Sequence, residues 1–412
     1  MLDFFERAFG KFYHPLIHGV RTERNIKRIQ KEMFLKISSE QIVRLNGNRK
    51  CRIYIDVSLV YRNDLGTGIQ RVTKNVAANL KELSTNYDVE YVFDSDSWYR
   101  KCSDGQEIDF QKGDVFFVLD NASENIRKFK SLFLCLSKNG VKTVYFLHDL
   151  IPLRFPKFVE RKNIRPFFDE LSIVVNFDVI ICNSKSTSDD VKNWLHENKN
   201  VQRNKNLKIT YSLLGADFSH FDKFKSGTVK SFSSENPVTF LMVSTVEPRK
   251  MYQQAVKAFD ILWKKNINVR LEIVGRRGWK SSKTFRLIEE NPHFGKELVW
   301  HSSGISDEEL ARLYAECDAV LFASVAEGFG LAVSEGAYFK RPLILRDIPV
   351  FREIADDNAF YFSGEEPEDL SNGIESWLAL YESGLQQKSD NIKLLTWRDC
   401  SRRILSILEG NV

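Results

Sequence analysis

Two glutamates, Glu327 and Glu335, stand with seven residues between them around the turn Gly328-Phe329-Gly330. The apolar run Ala319-Val320-Leu321-Phe322-Ala323 before the turn reads as a buried strand. After it, Leu331, Val333, Ala337 and Tyr338 mix with small residues, as in a closely packed helix. A strand, a glycine turn and a helix leave backbone N–H groups at the helix start, which suit an anion such as a phosphate. Glu327 falls at the strand end, where α/β sheets place ligands, and Glu335 one or two turns into the helix. A second stretch, Ser244-Thr245-Val246-Glu247-Pro248-Arg249-Lys250, also follows a strand and precedes a helix. Adjacent Arg and Lys there could neutralise a diphosphate, one as a fork and one as a point charge. A third, Phe146-Leu147-His148-Asp149, puts an imidazole that titrates near neutrality beside a carboxylate that could orient it. Each also has a plainer reading, as solvated acids, a solvated basic pair or a structural histidine.

These residues need positioning elements, and the chain is long enough for two domains with their own cores, at 412 residues. A hydrophobic share of 43% with 28% charged is ordinary for a globular protein. No run reaches the length of a membrane span, and no signal-peptide pattern opens the chain. Six widely spaced cysteines argue for free thiols and against a zinc site.

Residues 1–50 carry eleven Lys/Arg against five Asp/Glu, so the surplus of +5 for the whole chain lies in this stretch. Leu2, Phe5, Phe9, Phe12 and Leu16 form one helical stripe, and Ile26, Ile29, Met33 and Ile37 form another. Pro15 and Gly19 break the first. A basic amphipathic extension predicts peripheral membrane contact through residues 1–37, or docking on its own domain or on a partner subunit.

From Arg52 on, short apolar runs alternate with helical patterns, which predicts a doubly wound α/β domain over residues 51–220. Strands are predicted at Arg52–Val57, Val89–Val92, Val115–Leu119, Thr143–Leu147 and Val179–Cys182, with helices at 124–138 and 185–196. Gly66-Thr67-Gly68 joins the first strand to the first helix, but no third glycine completes a dinucleotide fingerprint, which argues against a dehydrogenase. The polar stretch 199–236 reads as a connection interrupted by one strand, Lys208–Leu214. A second alternating series fills residues 237–395, and residues 396–412 form a last helix. Ser306 and Glu309 spell a capping box before one of its helices. Asp94-Ser95-Asp96 has the spacing of a metal motif but reads as a loop.

The Glu-Gly-Phe-Gly turn with its paired glutamates, Glu247-Pro248-Arg249-Lys250, Gly275-Arg276-Arg277-Gly278-Trp279 and Ile305-Ser306-Asp307-Glu308-Glu309-Leu310 occur in an order and spacing that resembles glycosyltransferase family 4. The resemblance covers about residues 50–408. It implies the GT-B architecture, two Rossmann-like doubly wound domains facing across a cleft, with 396–412 crossing back to the N-terminal domain. Three departures stand out: Met251 where an asparagine is usual, Ala332 where a proline is usual, and Lys340-Arg341-Pro342 in place of Gly-x-Pro.

Carried over by resemblance, Glu335 would hold the ribose hydroxyls and Glu327 a sugar hydroxyl near the reacting carbon. Arg249 and Lys250 would stabilise the departing diphosphate without a metal or other cofactor. Gly275 and Ile305 would lie by the base, and Phe329, Gly330 and Leu331 would shape the phosphate turn. Gly66, Thr67 and Gly68 would approach the donor phosphate, and His148 would face the transferred sugar. The whole pattern, with Arg346-Asp347-Ile348-Pro349 late in the chain, resembles bacterial mannosyltransferases that build O-antigen or other surface polysaccharides. The resemblance implies a retaining enzyme using GDP-mannose, with UDP- or dTDP-sugars as the alternative and a non-catalytic scaffold subunit as the rival class. The partners would be a nucleotide sugar and a glycan or lipid-linked acceptor, without nucleic acid. The location would be cytoplasmic, with a peripheral place at the inner face of the membrane.

Overall fold

The structure, a computed structural model, describes residues 23–45, 47, 49–64, 66–95, 98–120, 123–216 and 236–411. These fall into two units. One takes in the described parts of Met1–Leu153, Lys162–Gly215 and Thr396–Val412; the other takes in Arg154–Arg161 and the described part of Ala216–Leu395. The first domain is therefore not one contiguous span as expected for 51–220: residues 154–161 group with the second unit.

The first unit is built on a seven-stranded sheet. Its strands are β2 (Arg52–Asp56), β3 (Asp88–Asp94), β4 (Tyr99–Lys101), β6 (Val115–Val118), β7 (Lys142–Leu147), β8 (Val179–Cys182) and β9 (Lys208–Tyr211), in the order β4-β3-β2-β6-β7-β8-β9. All neighbours are parallel except β3 and β4. Strands such as Val115-Phe116-Phe117-Val118 are buried along their whole length, because helices cover both faces of a parallel sheet. Lys208–Tyr211, expected to interrupt a connection, is an edge strand of this sheet with Val179 opposite Lys208. Its half-exposed, polar sequence is what an edge strand carries.

The expected helix over 124–138 is two helices, Ser123–Lys128 and Lys130–Lys138. Asp94 ends β3, and its carboxylate pairs with the buried Lys128 ammonium at 2.8 Å and with Arg62, so this residue is not in a loop. Asp96 lies outside the described residues.

The second half of the basic extension is α1 (Glu23–Ser39), and it is part of this unit. Ile26, Ile29 and Met33 are buried, and Met33 joins the core around Trp98 and Phe110. Gln30 donates to the Arg127 carbonyl at 2.7 Å, and the Lys36 ammonium lies 4.1 Å from the Trp98 ring centre. The predicted apolar stripe of α1 is thus spent on its own domain, and its outward face carries Lys27, Arg28, Lys31, Phe34 and Leu35. After it, β1 (Val43–Arg44) pairs with β5 (Phe110–Gln111). The stripe over residues 2–16 lies outside the described residues.

The C-terminal helix Trp397–Glu409 also belongs to this unit. Gly215 is needed for its approach, since a Cβ there would lie 2.4 Å from the Trp397 nitrogen. The Lys142 ammonium donates to the carbonyls of Ile407 and Leu408 at 2.8 and 2.9 Å, where helix-end carbonyls lack partners.

The second unit has a six-stranded, all-parallel sheet in the order β12-β11-β10-β13-β14-β15. The strands are β10 (Val238–Val243), β11 (Val269–Val274), β12 (Leu298–His301), β13 (Ala319–Phe322), β14 (Leu343–Arg346) and β15 (Phe360–Phe362). One face packs under Phe240, Phe259 and Trp377, and the other under Tyr314, Phe339 and Phe351. Three helices matter for the site: α3 (Tyr252–Lys264), α4 (Asp307–Glu316) and α5 (Leu331–Tyr338). Gly336 brings α5 close to the sheet, as a Cβ there would stand 2.8 Å from Leu343 Cδ2.

Candidate active site

β10 and β13 are adjacent parallel strands, so the segments after them emerge side by side at the carboxyl edge of the second unit's sheet. A single turn of tight helix, Pro248–Lys250, follows β10, and the 325–330 loop follows β13. The backbone ties them together, Val325 N–H donating to the Arg249 carbonyl at 3.0 Å. This register brings Arg249, Lys250 and Glu327 together from positions 77 or 78 residues apart. Arg249 Nη1 donates to Glu327 Oε2 at 2.6 Å and to the Ala326 carbonyl at 2.8 Å. Lys250 Nζ donates to Glu327 Oε1.

Burial alone would raise the Glu327 pKa, but the charges of Arg249 and Lys250 win and hold it at about 2. Burial, with Arg249 beside it, lowers the Lys250 ammonium from its ordinary range. Glu247 is a residue the sequence reading left without a role. Its side chain is 2% exposed, and it accepts from Arg249 Nη2 at 2.6 Å. Two largely shielded cations are thus matched by two carboxylates with buried side chains. Its place in the Glu-Pro-Arg-Lys stretch was the available signal.

Glu335 lies on α5, buried, and accepts a 2.8 Å hydrogen bond from Tyr314 of α4. Tyr314 carried no sequence signal beyond helical burial. Gly330 precedes α5 with φ 102°, and the ring of Phe351 stands 3.0 Å from where its Cβ would be, so both backbone and space call for glycine. Leu331 and Ala332 open the helix, and Ala332 keeps an N–H that a proline would lack. Phe329 is buried.

Gly275 ends the loop-side of β11, and a Cβ would sit 1.8 Å from the Ser244 carbonyl, so glycine is required by the packing of two strand ends. Ile305 packs on the Phe351 side of the sheet just before α4. Ser306 caps α4 by accepting from Glu309 N–H at 3.1 Å. Only this arm of the expected box is formed; the Glu309 carboxylate lies 4.0 Å from Arg312. Trp279 is 41% exposed and donates to the Phe158 carbonyl at 3.2 Å.

In the first unit, the sites after β2 and β7 share the carboxyl edge of that sheet. Gly66 has φ 65°, and Thr67 caps the helix Gly68–Leu83 in a box with Gln70. His148 follows β7, 8% exposed, with Nε2 3.3 Å from the Leu119 carbonyl. Burial depresses its pKa to about 4, so the imidazole is neutral at pH 7. This corrects the expectation of an acid/base group titrating near neutrality. Asp149 Oδ1 accepts from Ile151 N–H at 2.9 Å. Facing a carbonyl, Nε2 carries the proton, which leaves Nδ1 as an acceptor.

Comparison with known proteins gives consistent results for both units. Residues 227–393 match the family described as Glycosyl transferases group 1, and residues 57–204 match the Glucosyltransferase 3-like, N-terminal domain. The chain is 34% identical over 378 residues to the serotype-specific mannosyltransferase WbdA of Escherichia coli, a match covering 87% of this chain and 46% of that protein. It therefore spans about half the length of the WbdA relatives it matches. It is also 25% identical to the O-antigen chain mannosyltransferase RfbU of Salmonella typhimurium, over 57% of this chain and 64% of that one. Among solved structures, a glycosyltransferase from Rickettsia africae superposes with TM-score 0.58 at 17% identity, over 88% of this chain and 98% of that one. The fold is accordingly GT-B, with two Rossmann-like domains, and residues 227–393 carry the likeness to the group 1 glycosyl transferases.

Proposed function

We propose that this chain is a retaining glycosyltransferase that moves mannose from GDP-mannose to a growing surface polysaccharide or lipid-linked glycan. The observation that carries the reading is the convergence of Arg249 and Lys250 on buried Glu327 at the carboxyl edge of a parallel sheet. The mannose assignment is favoured by likeness to WbdA and RfbU, whose names describe mannosyltransferases. In the reaction the bond from C1 to the diphosphate breaks with its electron pair going to the phosphate oxygen. The acceptor oxygen bonds to C1, its proton leaves with the diphosphate, and the anomeric configuration is kept. Arg249 and Lys250 take up the charge that grows on the leaving group, electrostatic help that a metal gives in other transferases. Glu327 then turns to a sugar hydroxyl. Glu335, fixed by Tyr314, takes the ribose hydroxyls, and Gly275 and Ile305 flank the base. For the first unit, the family resemblance alone offers Gly66–Gly68 and neutral His148, with Nδ1 as its acceptor, as further donor-side residues.

A UDP- or dTDP-sugar is the second reading, favoured by the likeness of residues 57–204 to the Glucosyltransferase 3-like domain. Purified protein offered GDP-mannose, UDP-glucose and dTDP-rhamnose with glycan acceptor decides between them by release of nucleoside diphosphate. GDP release from GDP-mannose is the expected result; release from UDP-glucose or dTDP-rhamnose alone would move the assignment, and none from any would overturn it.

No helix among the described residues is long and apolar enough to cross a membrane. Peripheral contact at the inner face of the cytoplasmic membrane is part of the proposal. It uses the outward face of α1, where Phe34 and Leu35 are 61% and 56% exposed beside Lys27, Arg28 and Lys31.

A further inference from the structure

Glu247 is the one buried carboxylate of the cation pair to which the family resemblance gives no task. The Arg249 guanidinium divides its contacts by nitrogen: Nη1 faces Glu327 and the Ala326 carbonyl, and Nη2 faces Glu247. The Lys250 ammonium, by contrast, donates to Glu327. A diphosphate arriving between Arg249 and Lys250 competes for the positions that Glu327 holds on both cations. Once Glu327 is displaced, Lys250 rests on the anion. Arg249 still has two protein partners, the Ala326 carbonyl and Glu247, and the plane of its fork stays fixed.

The Glu247 backbone is held as firmly as its side chain. Its carbonyl accepts from Lys250 N–H at 3.1 Å, and the flanking Val246 is paired with Arg276 and Gly278 through the backbone. Its charge also stays in place when the diphosphate binds. It offsets one of the two cations, so the pocket does not hold the product diphosphate with the full strength of an unmatched Arg-Lys pair.

We propose that Glu247 is a positioning residue that fixes the Arg249 guanidinium while Glu327 is exchanged for the diphosphate, and that it tempers the grip of the pair on the nucleoside diphosphate product. The proposal rests on the reading of Arg249 and Lys250 as diphosphate ligands. It makes affinity and turnover move in opposite directions, which a merely structural carboxylate would not do.

The test is Glu247→Gln in the full chain, with GDP, UDP and dTDP as calorimetric probes and sugar transfer from the active donor as the readout. Loss of the charge should tighten binding of the preferred nucleoside diphosphate by about tenfold, while loosening of the fork lowers turnover by about tenfold. In an Arg249→Gln background the same substitution should no longer lower turnover, because the fork that Glu247 positions is gone, while the tightening from the lost charge persists through Lys250. Should Glu247→Gln alone fail to fold, the comparison of Arg249→Gln with Glu247→Gln/Arg249→Gln supplies the decision. Affinity and turnover falling together, or a further loss in the Arg249→Gln background, would overturn the proposal. Wild-type protein that binds none of GDP, UDP and dTDP would instead bring down the diphosphate reading itself, and this proposal with it.

Discussion

The two oxygens of the Glu327 carboxylate are divided between neighbouring residues: Oε2 accepts from Arg249 at 2.6 Å, and Oε1 from Lys250. Both cations are largely shielded with it, their side chains 16% and 13% exposed, so the charge of Glu327 is a structural requirement of the unliganded second unit. Glu327→Gln keeps the shape and leaves two largely shielded cations short of a partner. It should lower stability at pH 7 by about 3 kcal/mol, as loss of one member of a buried pair does. Nucleoside diphosphate should return part of that loss, since the ligand supplies the missing charge. Thermal melting with and without GDP measures both effects; a variant as stable as the parent would show that the pair is not buried in solution.

The acid limb of stability has two steps of known sign. His148 is neutral in the fold, with its pKa near 4 against 6.5 in the open chain. Its contribution is whole above about 6.5 and is lost as pH falls toward 4, because the unfolded chain takes up a proton that the fold refuses. Glu327, held at about 2 against 4.5, keeps its contribution above 4.5 and loses it between there and 2. Asp56 runs the other way, since burial raises its carboxyl to about 6 from 3.8, and stability from this group is lost as pH rises through that window. Urea midpoints at pH 7, 5 and 3 follow the sum. His148→Gln should remove the loss between 7 and 5 that the parent shows relative to the variant; identical slopes would place His148 in solvent.

The order of strands and helices was readable because each parallel strand is a short apolar run and each helix keeps one apolar face. Arg249, Lys250 and Glu327 could be picked out by type and strand-end position. Their mutual contact could not, since it depends on β10 lying beside β13, a pairing set by topology. Edge strand β9 reads as a strand, but its half-exposed sequence hides its place in the first sheet, and α1 leaves membrane contact and docking on its own domain both open, because a stripe facing a protein core and one facing lipid look alike in sequence. His148 was read as a titrating group because burial, which silences it, is not a local property of Phe-Leu-His-Asp.

Two departures from the family pattern share a backbone cause. Met251 and Lys340 both have φ 56°, in the left-handed region that asparagine or glycine occupies more easily. Lys340 follows α5, where its N–H bonds to the Ala337 carbonyl and the next N–H to that of Gly336. Its side chain is 68% exposed and only 3.6 Å from Asp390, so little packing is at stake. Lys340→Gly should therefore stabilise the protein by about 1 kcal/mol, seen as a raised urea midpoint. A lowered midpoint would mean that the lysine contacts outweigh the backbone strain.

The two faces of α1 should separate folding from surface binding. Met33→Asp puts a carboxylate into the core beside Trp98 and should cost about 3 kcal/mol or more. Phe34→Ser with Leu35→Ser, on the outward face, should leave melting unchanged and weaken sedimentation with anionic liposomes. Equal liposome binding by parent and double variant would remove α1 from the membrane proposal.

The central claim, that Arg249 and Lys250 stabilise the departing diphosphate, is tested most directly by steady-state transfer with Arg249→Ala, measured with and without EDTA. If the guanidinium acts more on the transition state than on the bound donor, turnover falls about a hundredfold, some 3 kcal/mol. Donor affinity then changes far less, and EDTA alters neither enzyme. Full activity in the variant, an equal loss of affinity and turnover, or abolition of parent activity by EDTA would contradict the account.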